Sequence, residues 1–376
     1  GELALRLLYF IVVVAFIDTF SQLPIIAPFA TSVGAAPLLV GIAIGMYSFS
    51  NIIGNIISGL MIDKIGSKTI LWIGMVAVGI ILILYSFVST PIELITIRFL
   101  HGLAGGLIVP AAFVLIGAMK RREVKKGKAM AYSGAAVGIA AIVGPALGGI
   151  LSSKFSYDLL FYVVSSLMVI FGLLACLFIN DRSTPIRSKE DKGPKKFKLE
   201  KPLIQAYVSI FLLLFTLGLL TYTLPLKVES ILLTASTTGM LLSVFGMVAI
   251  LFFILPTNKI YDSVNKFSLM LAGLCLIGLA LLSLSFSSSF LALIFSMIIY
   301  GVGFAFLFPS TSAAVIEYSG ESRQGIAFGI FYSCFSLGVV TGSFVAGLLA
   351  FSASSLFMFG AVFLLFLVPI LTFTTK

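Results

Sequence analysis

Twelve runs of mostly apolar residues, each about as long as a helix needs to cross a bilayer, take up nearly the whole chain. They lie at 5–28, 36–61, 69–89, 91–117, 128–151, 157–179, 203–225, 234–257, 267–286, 288–314, 323–349 and 353–373. A helix rises about 1.5 Å per residue and the hydrocarbon layer is about 30 Å thick, so about twenty such residues span it. Membrane strands would instead alternate apolar and polar residues in segments of about ten, a pattern this chain lacks. A mean hydropathy of +1.19 with only 10% charged residues excludes a water-soluble domain, whose single core could not bury so much apolar surface. The expected class is an all-α membrane protein with twelve transmembrane helices.

The formal charge of +10 does not point to nucleic acid, because the basic residues sit in short breaks between apolar runs rather than on one folded face. They read as topology signals. Arg6, Lys64, Lys68, the cluster from Lys120 to Lys128, the run from Arg182 to Lys201, Lys259, Lys266, Arg323 and Lys376 fall on one side. Lys154 and Lys227 fall on the other. The excess of basic residues marks the cytoplasmic face, so both termini are expected in the cytoplasm and the protein in the cell inner (cytoplasmic) membrane. The opening "GELALRLLYFIVVVAFIDTF" lacks a small-residue cleavage site and reads as a retained first helix. Cys176, Cys275 and Cys334 lie inside apolar runs, too far apart to suggest a metal site, and no cofactor is expected.

The one long polar stretch, "NDRSTPIRSKEDKGPKKFKLEKP", falls between spans six and seven and reads as a cytoplasmic linker at 181–202. It separates a six-helix bundle at 1–180 from another at 203–376. The halves repeat. Asp63 matches Asp262 at an offset of 199, and the same offset takes Gly66 to Asn265, Gly74 to Gly273, Gly102 to Gly301 and Pro110 to Pro309. "GPALGG" at 144–149 meets "GSFVAG" at 342–347, and Pro24 meets Pro225. Matches in register across several helices imply two pseudo-symmetric, parallel six-helix repeats.

Three motifs carry a resemblance. "GLMIDKIGSK" at 59–68 resembles the loop between helices two and three of the major facilitator superfamily, with Gly59, Asp63, Lys64, Gly66 and Lys68 in place and Ser67 at a commonly basic position. "RFLHGLAGG" resembles that family's fourth-helix motif through Arg98 and Gly102, with His101 where glutamine is common. "GPALGG" is similar to the end of the fifth-helix motif of its drug:proton antiporters, although Ala140 stands where glycine is usual. The resemblance implies the major facilitator fold, multidrug efflux by proton antiport, and a gating role for the loop at 59–68.

The residues have physical readings of their own. If two bundles meet as the repeat implies, Asp63 can reach the start of span eleven near Arg323, and Asp262 the start of span five near Lys126 and Lys128. Such contacts would form a cytoplasmic gate. The other reading is that Asp63, Lys64 and Lys68 hold a turn at the headgroups, with glycine supplying unusual backbone angles. Gly144, Pro145, Gly148 and Gly149 form a small-residue face that lets span five approach span eight or ten, either to limit leak or as ordinary close packing.

Ionisable groups inside a membrane are costly, so they carry most functional weight. Asp18, Arg98 and His101 are the three placed well inside spans, and they are expected near one level. Arg98, His101, Gly102 and Gly105 share one face of span four. Gln22, one turn from Asp18, and the stripe Tyr47, Asn51 and Asn55 on span two complete a polar interior in the first half. No buried charge is expected in the second half. Its cavity groups, Thr216, Tyr222, Phe245, Tyr300, Phe304, Phe328, Phe331 and Tyr332, suit a hydrophobic or amphipathic substrate.

These features lead to alternating access with proton coupling, Asp18 taking up and releasing a proton as the cavity opens to either side. Two alternatives remain open here: Asp18 as a purely structural pair with Arg98, and His101 as either a proton relay or a hydrogen-bonded bridge. The expected partners are a small-molecule substrate, protons and membrane lipid, with no nucleic acid and a monomeric chain. A facilitator or transporter of another metabolite (a siderophore, lipid, sugar or amino acid derivative) without proton coupling at Asp18 is the competing reading. An enzyme is not expected, for want of a catalytic dyad, metal ligands or a nucleotide-binding loop.

Overall fold

The computed structural model describes residues 2–120, 126–180, 198–255, 259–319 and 324–373. Arg323 and the side chains of Asp63, Lys126, Lys128, Asp262 and Phe328 lie outside the described residues, and with them the partners expected for a gate.

The helices are α1 (Glu2–Ser21), α2 (Ile26–Ser32), α3 (Pro37–Ile65), α4 (Ser67–Leu84), α5 (Pro91–Lys120), α6 (Lys126–Lys154), α7 (Tyr157–Phe178) and α8 (Lys201–Ser230). They continue as α9 (Ala235–Ile254), α10 (Ile260–Ser263), α11 (Lys266–Phe286), α12 (Phe290–Ser319), α13 (Gln324–Leu349) and α14 (Ala353–Phe373). Twelve of them are long and apolar enough to cross a membrane, and no strand occurs among the described residues. Helix is the outcome because a chain in hydrocarbon must satisfy its own N–H and C=O groups within each span.

The ends of these helices follow local chemistry. α1 stops at Ser21, one turn past Asp18, instead of running to 28. Pro24 has no N–H and its ring would strike the preceding turn, so the chain makes the turn Gln22–Ile25 before resuming as α2. Its counterpart Pro225 is carried inside α8, which runs on to Ser230, five residues beyond the expected end.

α5 begins with a reciprocal cap. Glu93 N–H donates to Thr90 Oγ1 at 3.3 Å, while Glu93 Oε2 accepts from the N–H groups of Ser89 and Thr90 at 2.9 and 3.3 Å. That cap fixes the start of the helix carrying Arg98 and His101.

The duplicated turn is solved in two ways. Between α3 and α4, Gly66 adopts φ +87° and ψ 150°, a region that essentially glycine alone enters. Before α11, Asn265 keeps φ at −57° and its Oδ1 accepts from Phe267 N–H at 2.8 Å, capping the helix. Gly59, by contrast, has open space around its Cα, so no close approach accounts for it.

The chain forms two compact units, residues 1–187 with 234–243, and residues 188–233 with 244–376. Within the first, α1 lies against α6, α3 against α5, and α4 against both α5 and α7. Within the second, α8 lies against α13, and α11 against both α12 and α14. Three of these pairs correspond under the sequence repeat: α1 with α6 to α8 with α13, α4 with α5 to α11 with α12, and α4 with α7 to α11 with α14.

Glycines set the closest approaches. A methyl at Gly102 would overlap Ser50 Oγ and the Tyr47 carbonyl, so α3 can lie on α5 only because Gly102 is bare. Gly301 does the same in the second unit, where a methyl would come 2.9 Å from the Phe245 carbonyl oxygen. On α6, Gly144 and Gly148 face Phe20 and Ser21 of α1, while Pro145 and Gly149 face Gly239 and Ala235 in the first turn of α9. Ser243 Oγ donates to the Ile142 carbonyl at 2.6 Å on the same side.

Candidate functional site

Asp18, Arg98 and His101 come together inside the first unit, as their depths along α1 and α5 suggest. Asp18 is 1% exposed and His101 0%. His101 Nε2 lies 2.8 Å from Asp18 Oδ2, a buried ion pair whenever the ring is protonated. Asp18 is therefore paired with His101 and not with Arg98.

Arg98 reaches the carboxylate only through Gln22. Its Nη1 donates to Gln22 Oε1 at 2.6 Å, and Gln22 Nε2 donates to Asp18 Oδ1 at 3.3 Å. A guanidinium can only donate, so the Gln22 oxygen must face it and the amide NH₂ must face Asp18. The rest of the guanidinium is held by α3: Nε donates to the Ala43 carbonyl at 2.9 Å and Nη2 to the Ile44 carbonyl at 3.1 Å. Its Cζ lies 5.1 Å from the centre of the Tyr47 ring, a cation–π distance. Arg98 thus ties α1, α3 and α5 together, and it can do so because Gly102, one turn on, lets α3 come close.

The remaining polar residues expected in the first half split into two groups. Tyr47 belongs to the site, with its ring edge-on to His101 at 4.9 Å and its hydroxyl 3.2 Å from Thr19 Oγ1. Asn51 and Asn55 serve the helix contact: Asn51 Nδ2 donates to the Gly102 carbonyl and Asn55 Nδ2 to Asn51 Oδ1, both at 3.4 Å.

One member was missed. Tyr85, in the 3₁₀ turn Tyr85–Phe87 that ends α4, puts its hydroxyl 2.8 Å from His101 Nδ1. Its ring stacks on Phe161 at 4.4 Å and 17°. The signal was present, since Tyr85 is the one tyrosine of the third span. A tyrosine at a span's end is readily read as an interfacial anchor, and that reading hides a buried one.

In the second unit, the aromatic residues form a continuous series. Tyr300 meets Phe245 at 5.5 Å, Phe245 meets Phe304 at 5.6 Å, and Phe304 stacks on Phe308 at 5.7 Å. Phe308 then meets Phe331 at 6.3 Å and Phe331 meets Tyr332 at 5.4 Å. Thr216 Oγ1 lies 3.1 Å from Tyr300 Oη, and Tyr222 is buried on α8. Phe308 joins this series without having been singled out in the sequence.

The expectation of no buried charge in the second half is corrected by Lys227, which is 4% exposed. It is not a loop residue facing water. Its Nζ donates to the Ser285 carbonyl at 3.1 Å and to Ser354 Oγ at 2.7 Å, while Ser285 Oγ donates to the Ser354 carbonyl at 2.8 Å. The ammonium caps the Ser285 carbonyl in the last turn of α11, where the helix dipole favours a cation. Sequence counting missed it because α8 continues through Pro225 and carries Lys227 inside. Among the described residues, no cluster of three or more metal-ligating side chains occurs.

A sequence model described as "Major Facilitator Superfamily" matches residues 8–230 and 206–376. An uncharacterized MFS-type transporter of Methanocaldococcus jannaschii is 24% identical over 353 residues, covering 90% of each chain. Multidrug resistance protein MdtG of Escherichia coli is 24% identical over 81% of this chain and 75% of its own length. Quinolone resistance protein NorA of Staphylococcus aureus is 21% identical over 91% of this chain and 88% of its own. Among solved structures, a point mutant of the nucleoside transporter NupG superposes with a TM-score of 0.85 at 15% identity, covering 99% of this chain and 100% of that one. A POT family transporter does so with a TM-score of 0.81 at 12% identity, covering 99% and 96%. At such identities these structures speak to the fold alone.

Proposed function

This chain belongs to the major facilitator superfamily of transporters, and we propose that it exports hydrophobic or amphipathic small molecules in exchange for protons. The observation that carries the reading is the buried pair of Asp18 and His101, two groups able to hold an exchangeable proton between them at 2.8 Å. The multidrug and quinolone resistance names of two relatives support the substrate class. So do Phe304, Phe308 and Tyr332 of the aromatic series in the second unit, which keep surface open for contact without a strict hydrogen-bond code.

Coupling to one proton is sufficient energetically. One charge crossing 100 mV releases about 2.3 kcal/mol, which at about 1.4 kcal/mol per decade sustains a roughly fifty-fold gradient. In this reading the protein works as a monomer in the cytoplasmic membrane with both termini inside.

A second reading, transport of another metabolite without proton coupling, draws on the same pair. Asp18 and His101 join α1 to α5 with both side chains fully partnered, as a structural tie would.

Purified protein in liposomes containing a pH-sensitive dye separates the two. A proton gradient is imposed, and lipophilic cations and amphipathic neutral compounds are added beside Asp18→Asn. Substrate-dependent proton flux that vanishes in the variant is the expected result. Substrate exchange with no proton movement in either protein overturns the coupling and leaves the second reading.

A further inference from the structure

His101 offers two ring nitrogens, and the structure gives each a different kind of neighbour. Nε2 faces Asp18 Oδ2, which as a carboxylate can only accept. Nδ1 faces the Tyr85 hydroxyl at 2.8 Å, which can donate or accept by turning about its C–O bond. Gln22 Nε2 also points toward Nδ1, but at 3.5 Å it is at the limit of a hydrogen bond. The hydroxyl is thus the close neighbour of Nδ1, and it is the one group there that suits either state of the ring.

We propose that Tyr85 is the positioning residue of the proton site. While His101 is neutral, the Tyr85 hydroxyl donates to Nδ1, which leaves the ring proton on Nε2 and aims it at Asp18. When the site opens and a hydronium ion gives its proton to Nδ1, leaving water, the hydroxyl turns and accepts from the new N–H. Release reverses the step. Tyr85 keeps its own proton throughout, and the Asp18 contact never breaks. The inference rests on the proton-coupled reading for its role in transport, but the hydrogen-bond assignment stands apart from it.

Among the described residues, no other hydroxyl contacts Nδ1. Against the ring lie Asp18 and Gln22 from α1, Tyr47 from α3, and Tyr85 from the turn after α4, while Arg98 of α5 reaches Gln22 and interacts with the Tyr85 hydroxyl. Phe29 from α2 and Phe161 from α7 pack on Tyr85 with apolar rings, 6.3 and 4.4 Å away. Those contacts fix where the hydroxyl sits.

His101 is the sole histidine of the chain, so ring ¹⁵N-histidine labelling reports on this residue alone. Nitrogen NMR of the labelled protein in lipid nanodiscs reads the tautomer directly. Wild type is expected to carry the proton on Nε2. In Asp18→Asn the carboxylate no longer dictates the tautomer, and the same pattern is expected because Tyr85 still donates to Nδ1. In the double variant Asp18→Asn/Tyr85→Phe, both tautomers are expected. A mixed or Nδ1–H pattern in Asp18→Asn overturns the proposal, as does a double variant indistinguishable from Asp18→Asn.

A second measurement addresses transport. In Tyr85→Phe the pH profile of substrate-driven proton flux is expected to shift along the pH axis, because the ring loses its hydrogen-bond partner at Nδ1. A uniform fall at every pH would reveal a merely structural role and overturn the proposal. If wild type moves no protons at all, the coupling reading fails, while the tautomer result still decides the assignment of Tyr85.

Discussion

Asp18 and His101, 83 positions apart in the chain, meet across α1 and α5 at 2.8 Å, and Thr216 and Tyr300 meet across α8 and α12 at 3.1 Å. Under the sequence repeat, His101 and Tyr300 are counterparts at an offset of 199. The same crossing is thus made twice, once by ionisable groups and once by neutral hydroxyls. The fold supplies the crossing, and the residue types decide which unit can hold a proton.

Breaking the ionisable crossing from one side should cost far more than replacing both partners. His101→Asn leaves Asp18 as a buried carboxylate without a cation in contact, a loss of about 3–5 kcal/mol for such pairs. The double variant Asp18→Asn/His101→Asn should recover much of that loss. Unfolding of wild type, both single variants and the double variant in detergent micelles measures the coupling, and strictly additive losses would contradict it.

Gly102→Ala should be severe although it adds one methyl. That methyl would overlap both Ser50 Oγ and the Tyr47 carbonyl, so α3 must move away from α5 and take the Ala43 and Ile44 carbonyls from Arg98. Overpacking of this kind costs about 1–3 kcal/mol before the lost hydrogen bonds are counted. Lower thermal stability and loss of transport are expected, whereas Gly59→Ala, with open space around it, should behave as wild type in both assays.

Lys227→Met keeps the length and volume of the stem but strands the Ser285 carbonyl and Ser354 Oγ. An unsatisfied buried polar group costs about 1–3 kcal/mol, so reduced stability in micelles is expected with the proton-coupling assay otherwise intact. Unchanged stability would show that water reaches these oxygens.

The two solutions of the repeated turn predict an asymmetry. Gly66→Ala puts a side chain at φ +87° and ψ 150°, a region open essentially to glycine alone, costing about 1–3 kcal/mol, and Gly66→Asn should be no milder, because asparagine tolerates the αL region and not this one. At the other turn, Asn265→Ala removes the cap on Phe267 N–H and should cost about 1 kcal/mol. Unfolding measurements on the three variants test the ranking.

Much of this was legible in the chain before any coordinates. The twelve apolar runs, the repeat and the three motifs led to the fold, and depth along each span was enough to bring Asp18, Arg98 and His101 to one level. What depth could not give was pairing. Arg98 carries the obvious charge for Asp18, yet it is satisfied by Gln22 and by two carbonyls of α3, which only a close helix crossing makes available. Tyr85 and Lys227 went unread for a related reason: each stands near the end of an apolar run, where sequence cannot tell a buried side chain from one at the headgroups.

The sequence by itself determined that every span is a helix, because in hydrocarbon the backbone must satisfy itself within one segment, and it placed Asp18, Arg98 and His101 inside spans of the first half. Tertiary structure alone decided who bonds to whom. Hydrogen bonds are short and directional, so their partners depend on how far helices rotate and how closely their glycines let them approach, and those are properties of packing between spans rather than of any span alone.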